Sequence, residues 1–204
     1  MTKFRFAIMG LALAAAGSAQ AAGVGARIGT TGLGADVAWS LAPTMSARLG
    51  YSAGKVDHDV STDLTTYHGK LKLSNLNTFL DFSPLGPFRI TGGFIFNDNK
   101  FDVNTDQVNG GSISGTVKPS KSAAPYLGIG YGNVSGAGVN FYADLGVMYQ
   151  GSPKASLTAN CGSLSAAQCS SLQGQVASEQ AQLEDKLKNA KYYPVLNIGL
   201  TIGF

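Results

Sequence analysis

Tyr192-Tyr193-Pro194-Val195-Leu196-Asn197-Ile198-Gly199-Leu200-Thr201-Ile202-Gly203-Phe204 ends the chain, and two kinds of side chain interleave along it. The even positions carry Tyr192, Pro194, Leu196, Ile198, Leu200, Ile202 and Phe204, while the odd positions become small or polar at Asn197, Gly199, Thr201 and Gly203. A period of two is the period of a strand. Large apolar residues on one face and small or polar ones on the other suit a strand with lipid outside and a polar lumen inside. The last strand of a secreted sandwich has the same alternation, so the choice depends on the rest of the chain.

The alternation recurs upstream. Leu33, Ala35, Val37, Trp39 and Leu41 share a face, and after the turn at Ala42-Pro43-Thr44 so do Met45, Ala47, Leu49 and Tyr51. A polar stretch with Lys55, Asp57, His58, Asp59 and Asp63 reads as a loop. The return strand carries Leu76, Thr78, Leu80 and Phe82 on one face. Its upper part, with Leu71 and Leu73, is out of phase with this set, which predicts a bulge near Ser74, because one extra residue flips every later side chain. Beyond the turn at 83–87 come Phe88, Ile90, Phe94 and Phe96, with a hairpin reaching out to Asn109-Gly110, a favoured tight-turn pair. It returns through Pro125, Leu127, Ile129 and Tyr131. A Gly/Asn/Ser turn at 133–138 leads into Val139, Phe141, Ala143, Leu145, Val147 and Tyr149.

The segment 24–41 decides the total. As one strand it makes seven, but single-chain bacterial barrels have even numbers, and a break at Thr31-Gly32 makes eight. Aromatic placement is an independent check. Trp39, Phe82, Phe88, Tyr131, Phe141 and Phe204 fall near one rim and point outward, while Tyr51, Phe96, Tyr149 and Tyr192 lie nearer the other. Two aromatic girdles bounding an apolar band are what a bilayer requires and a sandwich does not. The predicted fold is all-β: an eight-stranded antiparallel up-and-down transmembrane β-barrel, with a short helix in the last external loop.

The N-terminus supplies an address. Lys3 and Arg5 precede an apolar run ending near Gly17, and Ala19-Gln20-Ala21 has the small-x-small form of a cleavage site, so residues 1–21 read as a removable signal peptide and 22–204 as the barrel. Removing them leaves 183 residues, with thirteen basic against twelve acidic side chains. Such a balance gives no electrostatic basis for nucleic-acid binding. Only 13% of residues are charged while 27 are glycine, against roughly 25% and 7% in ordinary globular domains. Apolar residues confined to one face of each strand, with glycine where a narrow barrel has little room, account for both deviations.

Inward positions collect Arg27, Arg48 and Arg89 with Asp36, Asp81 and Asp144, beside the polar Asn140, Tyr142, Asn197 and Thr201. Buried charges must be paired. The set is either a structural plug of salt bridges or a constriction of alternating charge that binds a zwitterionic solute, and both readings stay open at this stage.

Outside the strands, Cys161 and Cys169 are the only cysteines. In an exported chain they suit a disulfide restraining the external insertion at about 155–190, free thiols being the alternative. Leu172, Val176, Leu183 and Leu187 then fall at helical spacing, with Glu179, Glu184, Asp185, Lys186 and Lys188 on the remaining face. This predicts a short amphipathic helix over the barrel mouth or on the headgroup surface. Asp102, Asn104 and Asp106 have the spacing of the first ligands of a calcium loop, but Gln107 and Ile113 occupy positions where that loop needs glycine and glutamate. His58 and His68 lie at the external end without a nucleophile motif, so no enzymatic activity, cofactor or metal is expected.

The chain resembles the CarO-type outer-membrane proteins, also described as ornithine-uptake porins. The resemblance is carried by Val24-Gly25-Ala26-Arg27 with Gly29-Thr30-Thr31-Gly32 and Gly34, by Leu49-Gly50-Tyr51, and by Ala124-Pro125-Tyr126-Leu127-Gly128 with Gly130. Tyr149, Gly151, Pro153, Lys154 and Pro194-Val195 complete it. It implies an eight-stranded barrel without a wide channel, linked to uptake of basic amino acids and to carbapenem susceptibility. The external loops look shorter than the family's, and the cysteine-bearing insertion is a departure from it. The terminal Phe204 resembles the sorting signal of bacterial outer-membrane barrels, which implies recognition of the last strand by the barrel assembly machinery. The expected function is porin-like passive uptake of small polar solutes across the outer membrane of a Gram-negative bacterium. A non-conducting structural or adhesin-like barrel is the alternative. Expected partners are outer-membrane lipid and lipopolysaccharide.

Overall fold

The computed structural model describes residues 22–61, 66–105 and 110–204. The predicted signal segment, with Asp63, Asp106 and Asn109, lies outside the described residues. Among the described residues, eleven strands and one long helix follow in order: β1 (Ala22–Gly29), β2 (Gly32–Ala42), β3 (Met45–Ser61), β4 (Thr66–Leu85), β5 (Phe88–Asn97), β6 (Lys100–Thr105), β7 (Ser112–Lys118), β8 (Ala123–Gly132), β9 (Gly138–Tyr149), β10 (Lys154–Asn160), α1 (Ala166–Leu187) and β11 (Tyr192–Gly203). The helix is not long and apolar enough to cross a membrane.

All the pairings are antiparallel, and eight strands form a closed cycle: β1 pairs with β2, β2 with β3, β3 with β4, β4 with β5, β5 with β8, β8 with β9, β9 with β11, and β11 with β1. β1 and β11 form the seam, where Ala22 and Phe204 exchange backbone hydrogen bonds of 3.0 and 2.9 Å. The break expected at Thr31-Gly32 is the β1–β2 turn, and Gly32 sits there at φ 104°, a left-handed conformation that side chains resist. The remaining strands β6, β7 and β10 stay outside the cycle. They extend a sheet from the upper half of β4, which pairs with β6, then β7, then β10.

Burial in the ring is inverted relative to a water-soluble domain. Its inward face buries Asp36, Asp81, Asn75, Asn197 and Thr201 to 1% exposure or less, whereas Phe141 is 70%, Leu127 63% and Ile198 59% exposed on the outward face. The bulge predicted near Ser74 is absent. β3 and β4 keep one register from Met45↔Phe82 to Ser61↔Thr66, and across Ser74 β4 keeps one register against β5 (Asn75 to Phe82) and then β6, its register on β5 shifting only between Phe82 and Leu85. Leu71 and Leu73 therefore share a face with Asn75 and Asn77, so it is the chemistry of the two faces that changes and not the backbone phase. Above the ring the outward face turns polar, with Lys72, Lys70 and Asp102, and the inward one apolar.

Candidate functional site

Six charged side chains meet inside the ring because each occupies an inward position of its own strand. Arg48 on β3 clamps Asp81 on β4 with Nε and Nη2 at 2.8 and 3.0 Å, and donates through Nη1 to Asp144 on β9 at 2.7 Å. Arg89 on β5 donates to the other Asp144 oxygen at 2.6 Å, and its Nε lies 3.5 Å from Asp81. Asp81, Arg48, Asp144 and Arg89 thus alternate in sign around a closed square of zero net charge, all with side chains no more than 2% exposed. Thr91 donates its hydroxyl to Asp81, and Arg89 also reaches the Gly132 carbonyl.

Arg27 and Asp36 form a second group, 3.0 Å apart. Tyr142 donates to Asp36, and Asn77 orients its amide oxygen toward the Arg27 guanidinium. The Tyr142 ring joins the two groups, with the guanidinium carbons of Arg48 and Arg89 at 5.1 and 5.5 Å from its centroid. Cation–π contacts of this kind gain strength where water is excluded. Inward glycines make the space: a Cβ on Gly130 would stand 2.6 Å from both Arg89 Nη2 and Asp144 Oδ1, and one on Gly199 would overlap the Tyr142 ring.

An apolar layer lies above this charge, toward the β6–β7 end. Phe79, Ile95, Ala124, Tyr126, Met148 and Val195 form one buried cluster at 0–4% exposure, with the Phe79 and Tyr126 rings 4.7 Å apart. On β4, β5 and β9 in turn, Phe79, Ile95 and Met148 sit on the outer side of Asp81, Arg89 and Asp144. Higher still, Asn75 donates to the Thr31 carbonyl at 3.1 Å. Sequence reasoning missed this layer by counting inward positions for charge alone. The signal was present, because Phe79, Ile95, Tyr126 and Met148 are large residues at positions where polar or small ones are the rule.

The predicted lumen polar residues divide. Asn197 accepts from Thr31 at 3.1 Å, and Tyr142, Asn197 and Thr201 are no more than 3% exposed. Asn140 is instead drawn to its own turn, donating to the carbonyls of Gly136 and Gly138 at 3.0 and 3.3 Å. Asn140 lies two residues from the start of β9, beside the turn whose carbonyls it meets.

Outside the ring, Phe82, Phe88, Tyr131, Phe141 and Phe204 are outward and 46–70% exposed, with Trp39 outward and half-buried. Tyr51, Phe96 and Tyr192 are likewise exposed, and Tyr149 packs against Tyr192 with centroids 5.5 Å apart. Cys161 and Cys169 form a disulfide with Cα atoms 5.3 Å apart. The insertion is more ordered than the predicted loop with a short helix: β10 opens it and α1 runs for 22 residues, burying Val176. Asp102 is tied to Lys72 at 2.9 Å and to Thr116 at 2.9 Å, contacts that hold its carboxyl below the usual range. His68 lies 3.0 Å from Asp59 on the outward face.

No protein-family model matches this chain, and no curated protein does. Solved structures share its fold, two Acinetobacter baumannii proteins among them. Acinetobacter baumannii CarO2 superposes with a TM-score of 0.61 at 22% identity, covering 90% of this chain and 98% of that one. Acinetobacter baumannii CarO gives 0.61 at 23% identity over 89% and 97%. At that identity the likeness is one of fold.

Proposed function

We propose that the chain is an eight-stranded outer-membrane β-barrel of porin-like architecture whose lumen is sealed in the conformation described, so that it acts as a structural and surface-presenting barrel. The observation that supports the membrane location is the inverted burial, with an apolar, aromatic-edged exterior around a charged interior. The fold shared with CarO supports the same location. What supports the seal is the stacking of two filled layers, a neutral square of ion pairs and the Phe79–Tyr126 apolar layer. Eight strands leave room for side chains and little more. Residues 1–21 act in this reading as the cleaved export signal, and the strand ending in Phe204 as the segment handed to the assembly machinery.

A second reading, slow passive uptake of small polar solutes such as basic amino acids, has one observation in its favour. Buried polar atoms along the lumen, Ser52 Oγ, Asn75 Oδ1, Tyr126 OH and Thr201 Oγ1, have no hydrogen-bond partner among the described residues, and a solute could engage them. Reconstitution in liposomes separates the two. Swelling in ornithine or arginine no faster than empty vesicles is the expected result, and faster swelling would replace the sealed reading with the uptake one. Boiling must also slow the gel migration of the detergent-extracted protein. Unchanged mobility would remove the barrel itself.

A further inference from the structure

Five lysines stand in one lateral row across the sheet above the ring. Lys55 on β3 pairs with Lys72 on β4, Lys72 with Lys100 on β6, and Lys118 on β7 with Lys154 on β10. The β6–β7 register, Phe101↔Val117, brings Lys118 opposite Lys100 and completes the row. Cross-strand partners share a face, and Lys55 and Lys72 share the outward face with Tyr51 and Leu76. Four inter-strand spacings of about 4.8 Å make the row about 19 Å wide.

Like charges directly opposite each other destabilise a sheet, and among the described residues one carboxylate lies within 4 Å of the row, Asp57 one level above being paired with Lys70. Asp102 lies 2.9 Å from Lys72 and 4.0 Å from Lys100. Lys55, Lys118 and Lys154 are exposed and make no ion pair among the described residues. So much uncompensated charge at one level calls for an anion from outside.

We propose that this row docks the phosphate groups of a phosphorylated glycolipid, the lipopolysaccharide of the outer leaflet. The inference rests on the outer-membrane reading above and deepens it by naming a partner and the residues that hold it. Depth argues for it. The row lies four residues along β3 and β4 beyond the Tyr51–Leu76–Phe96 level, about 13 Å along the strands, and less along the membrane normal for tilted strands. That is headgroup height for a barrel whose upper aromatic girdle marks the interface. Directly above the row, Thr116, Ser156, Ser114 and Thr158 with Asp57 and Asp59 line a concavity of about 610 Å³ suited to sugar hydroxyls. The row and this concavity adjoin each other, as the phosphates and sugars of such a lipid do.

The test titrates diphosphorylated lipid A in mixed micelles into the detergent-purified protein, with binding read by native mass spectrometry. Lys118→Gln with Lys154→Gln should weaken binding about tenfold or more, while the charge-matched Lys186→Gln with Lys188→Gln at the C-terminal end of α1 should bind as the parent does. Dephosphorylated lipid A should bind as weakly as the row variant does to the phosphorylated form. Equal binding by parent and row variant, or equal weakening by both pairs, would overturn the proposal. Full competition by inorganic phosphate at the same concentration would assign the row to free phosphate, and full competition by a polyglutamate peptide to an acidic polypeptide, and either would overturn the glycolipid assignment. Both variants must keep heat-modifiable migration. Its absence in the parent protein would sink the barrel reading, an outcome separate from failure of the lysine row.

Discussion

Asp144 accepts from two arginines at once, and Asp81, the other carboxylate beside them, is already engaged by Arg48 and Thr91. Asp144→Asn would leave both guanidiniums partly unpaired in a site closed to water, which costs about 3–5 kcal/mol for a buried pair. Urea unfolding in detergent should show this loss, with vesicle swelling unchanged if the charges are a plug. Asp102, outside the ring, behaves differently because it is near solvent. Hydrogen bonds from Lys72 and Thr116 lower its pKa, so its contribution to stability is present above the ordinary carboxylate range and is lost as pH falls through the depressed value. Lys72→Gln should move the Asp102 midpoint up toward the usual range in a carboxyl NMR titration. An unmoved midpoint would mean that the Lys72 contact is not what holds the proton off.

At the scale of elements, β4 shows why a change of pattern is not a change of backbone. Its apolar set moves from even to odd positions around Ser74 while its register on β3 never shifts. What changes, in the membrane reading proposed above, is the medium: the outward face meets lipid below this level and water above it, so each half places polar residues where the water is. A bulge and an environmental switch look the same in a linear pattern, and only the pairing separates them. α1 has a similar history. The apolar spacing at Leu172, Val176, Leu183 and Leu187 identified the helix, but not that Gln180 accepts from the Leu157 amide and shields the free edge of β10, a hazard for unwanted strand pairing. Its start is secured by a capping box between Ser165 and Gln168 and by the disulfide. Closing so short a loop is worth about 2.5 kcal/mol in the chain-entropy account. Cys161→Ser with Cys169→Ser should therefore speed amide exchange over the first turns of α1 and leave exchange in the ring unchanged. Faster exchange in β1 and β11 as well would show that the insertion supports the ring.

For the molecule as a whole, the seal belongs to two layers held by different physics, and they can be removed separately. Phe79→Ala with Tyr126→Ala removes the two rings of the apolar layer and keeps all six charged groups, losing the contact of the Phe79 ring with Arg48 at 5.3 Å, and single-channel recording should then find small conductance steps that the parent protein lacks. Continued silence would mean that the charge layer alone closes the lumen. Much of this architecture was legible in the chain before any coordinates. Alternation with a period of two identified the eight strands of the ring and their outward faces, the aromatics marked two levels, and three arginines against three aspartates on inward positions required pairing. These are local properties, since the face of a residue depends only on its own place in its strand. The partners of Arg48, Asp81 and Asn75, the pairing of β6, β7 and β10 outside the ring, and the lysine row were decided by tertiary structure. They depend on the stagger between strands distant in sequence, as with Arg48 and Asp144, which lie 96 residues apart. A side chain's face is a matter of parity, but its neighbour across a closed ring is a matter of register, and register is a property of the whole sheet.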